Sequence, residues 1–172
     1  MECRTLTDRK AVREAIQTHG RAWQEAYDGL LPASVLERVT VSPDADAVDA
    51  WMDRLPGESD PGFACGIAVR DTIRGYAFVR WGETKPFVRP HEAGLKEIYV
   101  HPDLWGGGLG TELLVSAREH LPPEIEGLAL EVLADNERAR RFYESRGFVY
   151  DGTHAIDIDG ETYETLVYRM TV

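Results

Sequence analysis

The sequence predicts an α/β or α+β fold, in which a mixed β-sheet has helices packed on it. Amphipathic helical patterns fill the first 60 residues, short apolar runs typical of strands begin at residue 63, and helical patterns separate the later runs. The 172 residues, 43% hydrophobic and 28% charged, suit one soluble domain with a sizeable core. We therefore interpret residues 1–172 as a single domain, with a helical portion at 1–60 and a core at 61–172.

The first third of the chain predicts three helices. Thr7 is the expected N-cap of a long amphipathic helix that ends near Gly29. Pro32 stands where a short second helix would begin. Ser42 is the expected cap of a third helix, which has acidic residues near its start and is stopped by Pro56.

A strand hairpin and a long loop follow these helices. Residues 63–70 and 73–81 are short apolar runs separated by a polar turn, which is typical of a hairpin. Residues 82–94 contain two prolines and no periodicity, so they predict a loop. Loops of that length in a compact domain are often functional.

Two strand–helix units and a second hairpin complete the predicted order. Residues 95–100 form a strand that leads into a glycine-rich turn and an apolar helix. Residues 127–133 form another strand, and the helix over 136–146 ends at a glycine C-cap. In the final segment polar and apolar residues alternate on both sides of Asp159 and Gly160. This pattern is the strongest hairpin signal in the chain.

Charge and composition exclude several classes of protein. The formal net charge of −11 disfavours a nucleic-acid partner and fits cationic small molecules, or serves only solubility at high ionic strength. No run approaches the ~20 apolar residues of a membrane span, and the charged start is unlike an export signal, so we expect a cytoplasmic protein with no membrane partner. Cys3 and Cys65 are far apart and predict free thiols, and the five histidines have no ligand spacing, so no metal is expected.

Four glycines occupy the start of a helix where a capping side chain is usual: Gly106, Gly107, Gly108 and Gly110. A nucleotide P-loop is excluded because Thr111 and Glu112 stand where lysine and serine or threonine belong. The dinucleotide fingerprint fails as well, since Thr111 replaces its third glycine. Free amides and the helix dipole favour an anion at this turn, although tight strand-to-helix packing alone would also require glycine.

A second polar pattern lies on the following helix. Asn136, Ala139 and Tyr143 are spaced at i, i+3 and i+7, so they share one face about two turns long. An amide at the top can bond a peptide-like ligand, the small Ala139 leaves room, and the phenol can reach the far end. The alternatives are a plain N-cap at Asn136 and a core aromatic at Tyr143.

These two segments resemble the signatures of one enzyme family. The pattern V-x-P-x-x-W-G-G-G-L-G from Val100 to Gly110 is similar to the acyl-CoA pyrophosphate loop of the GNAT superfamily of N-acyltransferases. ADNERARRFYESRGFVYDG resembles the second GNAT signature, and the likeness covers roughly residues 63–170. The resemblance implies a mixed, mostly antiparallel, seven-stranded sheet flanked by helices, with acetyl-CoA as co-substrate and no metal.

The resemblance also implies a set of site residues. Those assigned to acetyl-CoA are Ile98, Tyr99, Val100, Trp105, Gly106, Gly107, Gly108, Leu109, Gly110, Thr111, Asn136, Ala139 and Tyr143. Tyr143 matches the position that protonates the departing thiolate, and the reference pKa of ~10 keeps a phenol protonated at neutral pH. Trp105 departs from the usual Gln or Arg, which removes one polar contact. Arg138, Arg140 or Arg141 could supply positive charge for the phosphates.

Glu97 is the candidate that accepts the proton of the attacking amine, directly or through water. The alternative is a solvated or salt-bridged strand carboxylate beside Lys96. Strand alternation points Glu97 and Tyr99 to one face and Ile98 to the other. In this family the first helices, here within 1–60, and the loops beside the fourth strand wall the acceptor side. This nominates Trp23, Tyr27 and parts of residues 82–94, although Trp23 and Tyr27 could be core residues.

The predicted function is transfer of an acetyl group from acetyl-CoA to a primary amine of a small molecule or protein, by direct attack in a ternary complex. A non-catalytic CoA-binding sensor or interaction module with the same fold is one alternative. A domain in which the glycine turn serves packing alone is another. Dimers are common in the family and the terminal hairpin offers strand edges, so a homodimer is compatible with the sequence.

Overall fold

The computed structural model describes residues 2–82 and 84–172, so Met1, and Glu83 of the predicted loop, lie outside the described residues. Within that part of the chain, seven strands form one sheet in the order β1-β2-β3-β4-β5-β7-β6. Only the β4–β5 pairing is parallel, which confirms the mixed, mostly antiparallel sheet. The elements are β1 (Cys3–Thr5), α1 (Arg9–Ala26), α2 (Ala33–Leu36), α3 (Ala45–Arg54), β2 (Gly62–Val69), β3 (Thr72–Arg80), β4 (Glu92–Val100), a 3₁₀ turn (Pro102–Leu104), α4 (Leu109–Glu119), β5 (Gly127–Leu133), α5 (Glu137–Glu144), β6 (Val149–Ile158) and β7 (Glu161–Thr171).

The helix starts differ from the sequence predictions. Asp8 caps α1 and Asp44 caps α3, each by accepting a hydrogen bond from the backbone amide three residues later. Thr7 and Ser42 were therefore the wrong caps. Aspartate at these positions satisfies one free amide and adds negative charge at the positive end of the helix dipole.

The predicted free thiols were also wrong, because Cys3 and Cys65 form a disulfide. Strand β1 pairs with β2 so that Thr5 lies opposite Cys65, which makes Cys3 a diagonal neighbour on the same face. Their Cα atoms are 5.7 Å apart, within the usual range for a disulfide. The short β1 was absent from the sequence prediction, and without it nothing brings the two cysteines together.

Helices cover both faces of the sheet. On one face, α1 and α3 bury Val12, Ile16 and Val48 against Tyr76 and its neighbours. On the other face, α4 buries the three residues predicted for its apolar side, Leu113, Leu114 and Ala117. No described helix combines the length and the apolar character that a bilayer crossing demands.

The sheet opens between its two central strands. Strand β4 begins at Glu92, so the last part of the predicted loop over 82–94 is strand. In the described chain β4 and β5 pair through three residue pairs, the last being Gly94 with Ala129. A bulge follows at once, because Val79 of β3 pairs with Leu95 whereas Phe78 pairs with Glu97. The bulge turns β4 away from β5 and leaves a cleft.

Candidate active site

A cavity of about 450 Å³ occupies the cleft between β4 and β5. Residues from α1, β4, the glycine turn, β5, α5 and β6 line it. Those that the sequence analysis singled out are Trp23, Tyr27, Glu97, Ile98, Tyr99, Val100, Trp105, Gly106, Gly110, Asn136, Arg138, Ala139 and Tyr143. The structure therefore brings the two motifs, the central strand and the first helix to one place.

The glycine turn presents free backbone amides at the start of α4. Gly108 is the N-cap with φ of +92° and offers no side chain to the helix. Among the described residues, no group accepts a hydrogen bond from the amides of Gly106, Gly108, Leu109 and Gly110. The amides of Gly107 and Thr111 are occupied instead, by the carbonyls of Leu104 and Gly108. A cradle of amides at a helix start is suited to an anion such as a pyrophosphate.

Close packing explains one glycine of this turn by itself. A Cβ atom on Gly110 would lie 3.1 Å from the Phe142 ring, so α4 packs closely against α5 here. At Gly106 and Gly108, by contrast, a Cβ would meet nothing within 4 Å, and both have positive φ. These two glycines are needed for backbone conformation, and Gly110 is needed for helix packing.

Two arginines lie at the glycine turn, and only one of them was predicted. The Arg138 guanidinium stacks 4.5 Å from the centre of the Trp105 ring and lines the cavity. Arg146 donates hydrogen bonds of 3.0 and 2.8 Å to the Thr111 hydroxyl. This second contact joins residues 35 apart in sequence, so no local pattern could have revealed it.

The other two nominated arginines are engaged elsewhere. Arg140 donates to the carbonyl of Ala134 and to the Tyr168 hydroxyl, and Arg141 pairs with Glu137 on the outside of α5. Trp105 takes a structural position, because its indole N–H donates a 2.7 Å hydrogen bond to the carbonyl of Val100 at the end of β4. The indole thus fixes the turn to the strand and supports Arg138 on its face.

Helix α5 presents the predicted polar face to the cavity. Asn136 is the N-cap, and its side-chain oxygen accepts a 3.2 Å hydrogen bond from the amide of Ala139. The Tyr143 ring packs between Phe142 and Phe148, while its hydroxyl has no hydrogen-bond partner among the described residues. Burial raises the pKa of Tyr143 above its usual value, and nearby Tyr27 raises it further. The phenol is therefore a protonated donor at neutral pH, available to a ligand.

Glu97 lies on the face of the sheet that carries α1 and α3. In a regular strand the side chains of Leu95 and Glu97 would point to the same face of the sheet. Because of the bulge they point to opposite faces: Leu95 packs beside α4, and Glu97 points toward Arg54 and Tyr76. Arg54 forms an ion pair with one carboxylate oxygen, and the Tyr76 hydroxyl donates a 2.7 Å hydrogen bond to the other. Both carboxylate oxygens therefore have hydrogen-bond partners within the protein.

The two aromatic residues nominated on α1 belong to a polar network inside the cleft. The Trp23 indole N–H donates a 2.9 Å hydrogen bond to the Tyr99 hydroxyl. The Trp23 ring also packs edge-on against the Tyr27 ring, with 4.8 Å between the two ring centres. Trp23 and Tyr27 thus pack against apolar neighbours and also line the cavity, and their contact with an acceptor stays a prediction.

His19 is a cleft residue that sequence reasoning missed. Its ring lies 5.1–5.4 Å from the ring centres of Trp23, Trp51 and Tyr99. Burial lowers the pKa of His19 to about 4, although the charge of Glu97 opposes the shift. The sequence did carry a signal for His19, because it lies four residues before Trp23 on α1 and therefore on the same face of the helix.

A second carboxylate, Glu131 on β5, was also missed. It forms an ion pair with Lys85 and accepts a 2.8 Å hydrogen bond from the Thr165 hydroxyl. His154 lies 3.1 Å from the same oxygen. These residues come from three strands and a loop, so only the folded sheet places them together. In the part of the chain that the structure describes, no three potential ligand side chains converge as a metal site.

A mixed sheet that opens into a cleft between its two central strands is the architecture of an acyltransferase. The chain belongs to the acetyltransferase (GNAT) family, whose family model matches residues 23–148. It is therefore an N-acetyltransferase, as the two sequence motifs predicted. A comparison with curated protein sequences gave no match.

Solved structures share the fold across the whole chain. PaiA N-acetyltransferase from Thermoplasma acidophilum, solved with coenzyme A, has a TM-score of 0.73 and 18% identity, covering 99% of this chain and 98% of that one. Ribosomal-protein-alanine N-acetyltransferase from Brucella melitensis has a TM-score of 0.70 and 20% identity, covering 100% of both chains. Ribosomal-protein-S18-alanine N-acetyltransferase from Escherichia coli has a TM-score of 0.66 and 20% identity, covering 99% of this chain and 92% of that one. At these identities the likeness concerns the fold.

Proposed function

We propose that the protein transfers the acetyl group of acetyl-CoA to a primary amine by direct attack within a ternary complex. The observation that carries the proposal is the set of unpaired amides at the start of α4, beside a cavity that also holds Tyr143 and Glu97. The coenzyme A bound to the Thermoplasma acidophilum neighbour supports the same donor here. Acetyl-CoA would supply the acetyl group as an activated thioester.

The two ends of the donor would be held by different parts of the cleft. The free amides of the glycine turn, with Arg138 and Arg146 beside them, fit a pyrophosphate. Beyond Gly94 and Ala129 the facing edges of β4 and β5 are not paired with each other, so the backbone of residues 98–100 can bond the amides of the pantetheine arm.

The chain supplies one proton donor and one proton acceptor to the reaction. Glu97 receives the proton of the attacking amine through water, because both of its oxygens already accept hydrogen bonds. Tyr143 donates its hydroxyl proton to the departing thiolate, for which its raised pKa and its unpaired hydroxyl suit it.

Thermal unfolding with and without acetyl-CoA, followed by a mass-spectrometric screen for acetylated amines, tests this function. At ~100 times its dissociation constant the ligand should stabilise the fold by about 2.7 kcal/mol. The variant Tyr143→Phe should keep that stabilisation and lose turnover by a factor of about 10²–10⁴. Tyr150→Phe removes the same hydroxyl from an exposed tyrosine and should change neither.

Two results would contradict the proposal in different ways. No stabilisation at saturating acetyl-CoA, at low and high salt, would exclude the donor and leave the glycine turn as a packing device. Stabilisation without acetylation of any amine would favour the CoA-binding sensor instead.

A further inference from the structure

Among the described residues, the cleft contains one lysine, Lys96, whose ammonium group has no ion-pair partner. Lys96 is the extra residue of the β4 bulge, is partly buried and lines the cavity. Within residues 2–82 and 84–172, its ammonium group forms neither a hydrogen bond nor an ion pair. A partly buried cation without a protein partner is available to an anionic ligand.

Both carboxylates that line the cleft in the described chain are already paired. Arg54 pairs with Glu97, and Lys85 pairs with Glu131. Burial lowers the pKa of Lys96, and the neighbouring cations Lys85 and Arg80 lower it further, while the two carboxylates only partly oppose them. Lys96 is thus a positive charge in excess of the local carboxylates, even though the whole chain is acidic.

The bulge also determines how this charge is placed relative to Glu97. Neighbouring residues of a regular strand point to opposite faces, but Lys96 and Glu97 both line the same cavity. A cation and a carboxylate therefore stand side by side on adjacent residues of β4. An α-amino acid, whose carboxylate and amine are only a few bonds apart, matches such a pair.

Resting on the transferase function proposed above, we propose that the acceptor is a free α-amino acid with an apolar side chain. Its carboxylate binds Lys96 and its amine faces Glu97. The side chain packs against the apolar wall of the cleft, which consists of Trp23, Tyr27, Leu31, Ile156 and Ile158.

The reaction balances with the groups already described. The amine nitrogen forms a bond to the acetyl carbon as the carbon–sulfur bond breaks. The amine loses a proton to Glu97 through water, and the thiolate gains one from Tyr143. The products are an N-acetyl amino acid and coenzyme A.

The test compares matched acceptors at saturating acetyl-CoA: leucine, leucinamide, isopentylamine and a leucine-initiated tetrapeptide. We expect kcat/KM for leucine to exceed that for leucinamide by tenfold or more. Lys96→Met keeps the apolar stem without the charge and should reduce that ratio at least tenfold. Because the ratio is compared between enzymes, intrinsic differences in amine reactivity cancel. Arg80→Met removes a nearby exposed cation that does not line the cavity and should leave the ratio unchanged.

The outcomes separate this inference from the proposed function. Acetylation of the amide, the amine or the peptide with no preference for leucine would overturn the amino-acid assignment while the transferase function stands. A leucine preference that survives Lys96→Met would overturn the role of Lys96. Failure to acetylate any of the acceptors would overturn the assignment as well. If acetyl-CoA still raised the melting temperature in that case, a larger set of amines would be tested. Acetylation of any of them would support the proposed transferase function, and acetylation of none would contradict it.

Discussion

His19 shows how a single buried side chain couples the cleft to the stability of the fold. It lies among three aromatic rings, where desolvation lowers its pKa to about 4 from the usual 6.5. The folded protein therefore keeps the ring neutral at neutral pH, and the same neutral ring lines the cavity beside Tyr99.

The pH dependence of stability follows from this shift. Between pH 6.5 and about 4 the unfolded chain binds a proton at His19 that the folded chain does not, so stability is full above 6.5 and falls as the pH drops. The loss reaches about 3 kcal/mol once the pH is below the folded pKa. Urea unfolding of the native protein and His19→Gln at pH 7, 5 and 4 should show a smaller loss in the variant. His91→Gln, at an exposed histidine, should behave like the native protein, and equal losses in all three would contradict the assignment.

The roles of individual residues could be predicted only in part from the sequence. The motif spacing predicted that Asn136, Ala139 and Tyr143 share a face, and all three line the cavity. The partners of Glu97 could not be predicted, because Arg54 reaches it only when α3 packs on the sheet. The bulge at Lys96 was equally hidden, since one extra residue in a strand leaves no compositional signal.

At the scale of elements, the glycine turn joins strand geometry to helix geometry. The positive φ of Gly108 lets α4 begin without a capping side chain and keeps its first amides accessible. A side chain at this position would meet no neighbouring atom, so any effect of a substitution arises from the backbone.

Gly108→Ala tests the turn. The alanine should destabilise the fold by about 1–2 kcal/mol, because an L residue strains at positive φ, and should also weaken acetyl-CoA binding by moving the amides. Gly152→Ala, at φ of +100° with equally open surroundings on the edge strand β6, should cost similar stability and leave binding intact. Calorimetric titration with acetyl-CoA distinguishes the two, and equal affinities would show that the turn does not hold the ligand.

The disulfide between β1 and β2 is a second feature that links two elements, because it joins Cys3 to Cys65. It closes a loop with a sequence separation of 62, so reducing it should lower the free energy of unfolding by about 2–4 kcal/mol. Unfolding with and without dithiothreitol measures the effect, and a Cys3→Ser/Cys65→Ser double variant should be insensitive to the reductant. Two titratable thiols in the untreated protein would contradict the bond.

For the whole molecule, the order of helices and strands after residue 60 could be predicted well. Apolar periodicity and glycine or proline boundaries are local signals, and they placed β2, β3, β5, α5 and the terminal hairpin. Strand β1 was missed because three residues are too few for a pattern, and its pairing with β2 depends on a distant part of the chain. Local chemistry thus predicted the elements, whereas the cross-chain contacts of the cleft needed the fold.

The short pairing between β4 and β5 affects the rigidity of the sheet. Three residue pairs join a half-sheet of β1–β4 to a half-sheet of β5–β7, and each half has its own antiparallel hydrogen bonding. Few hydrogen bonds therefore join the two halves, so we expect them to move relative to each other more readily at this junction than within either half. An extended ligand bound in the cleft would contact both half-sheets and add interactions between them. We therefore expect substrate binding to make the molecule more rigid.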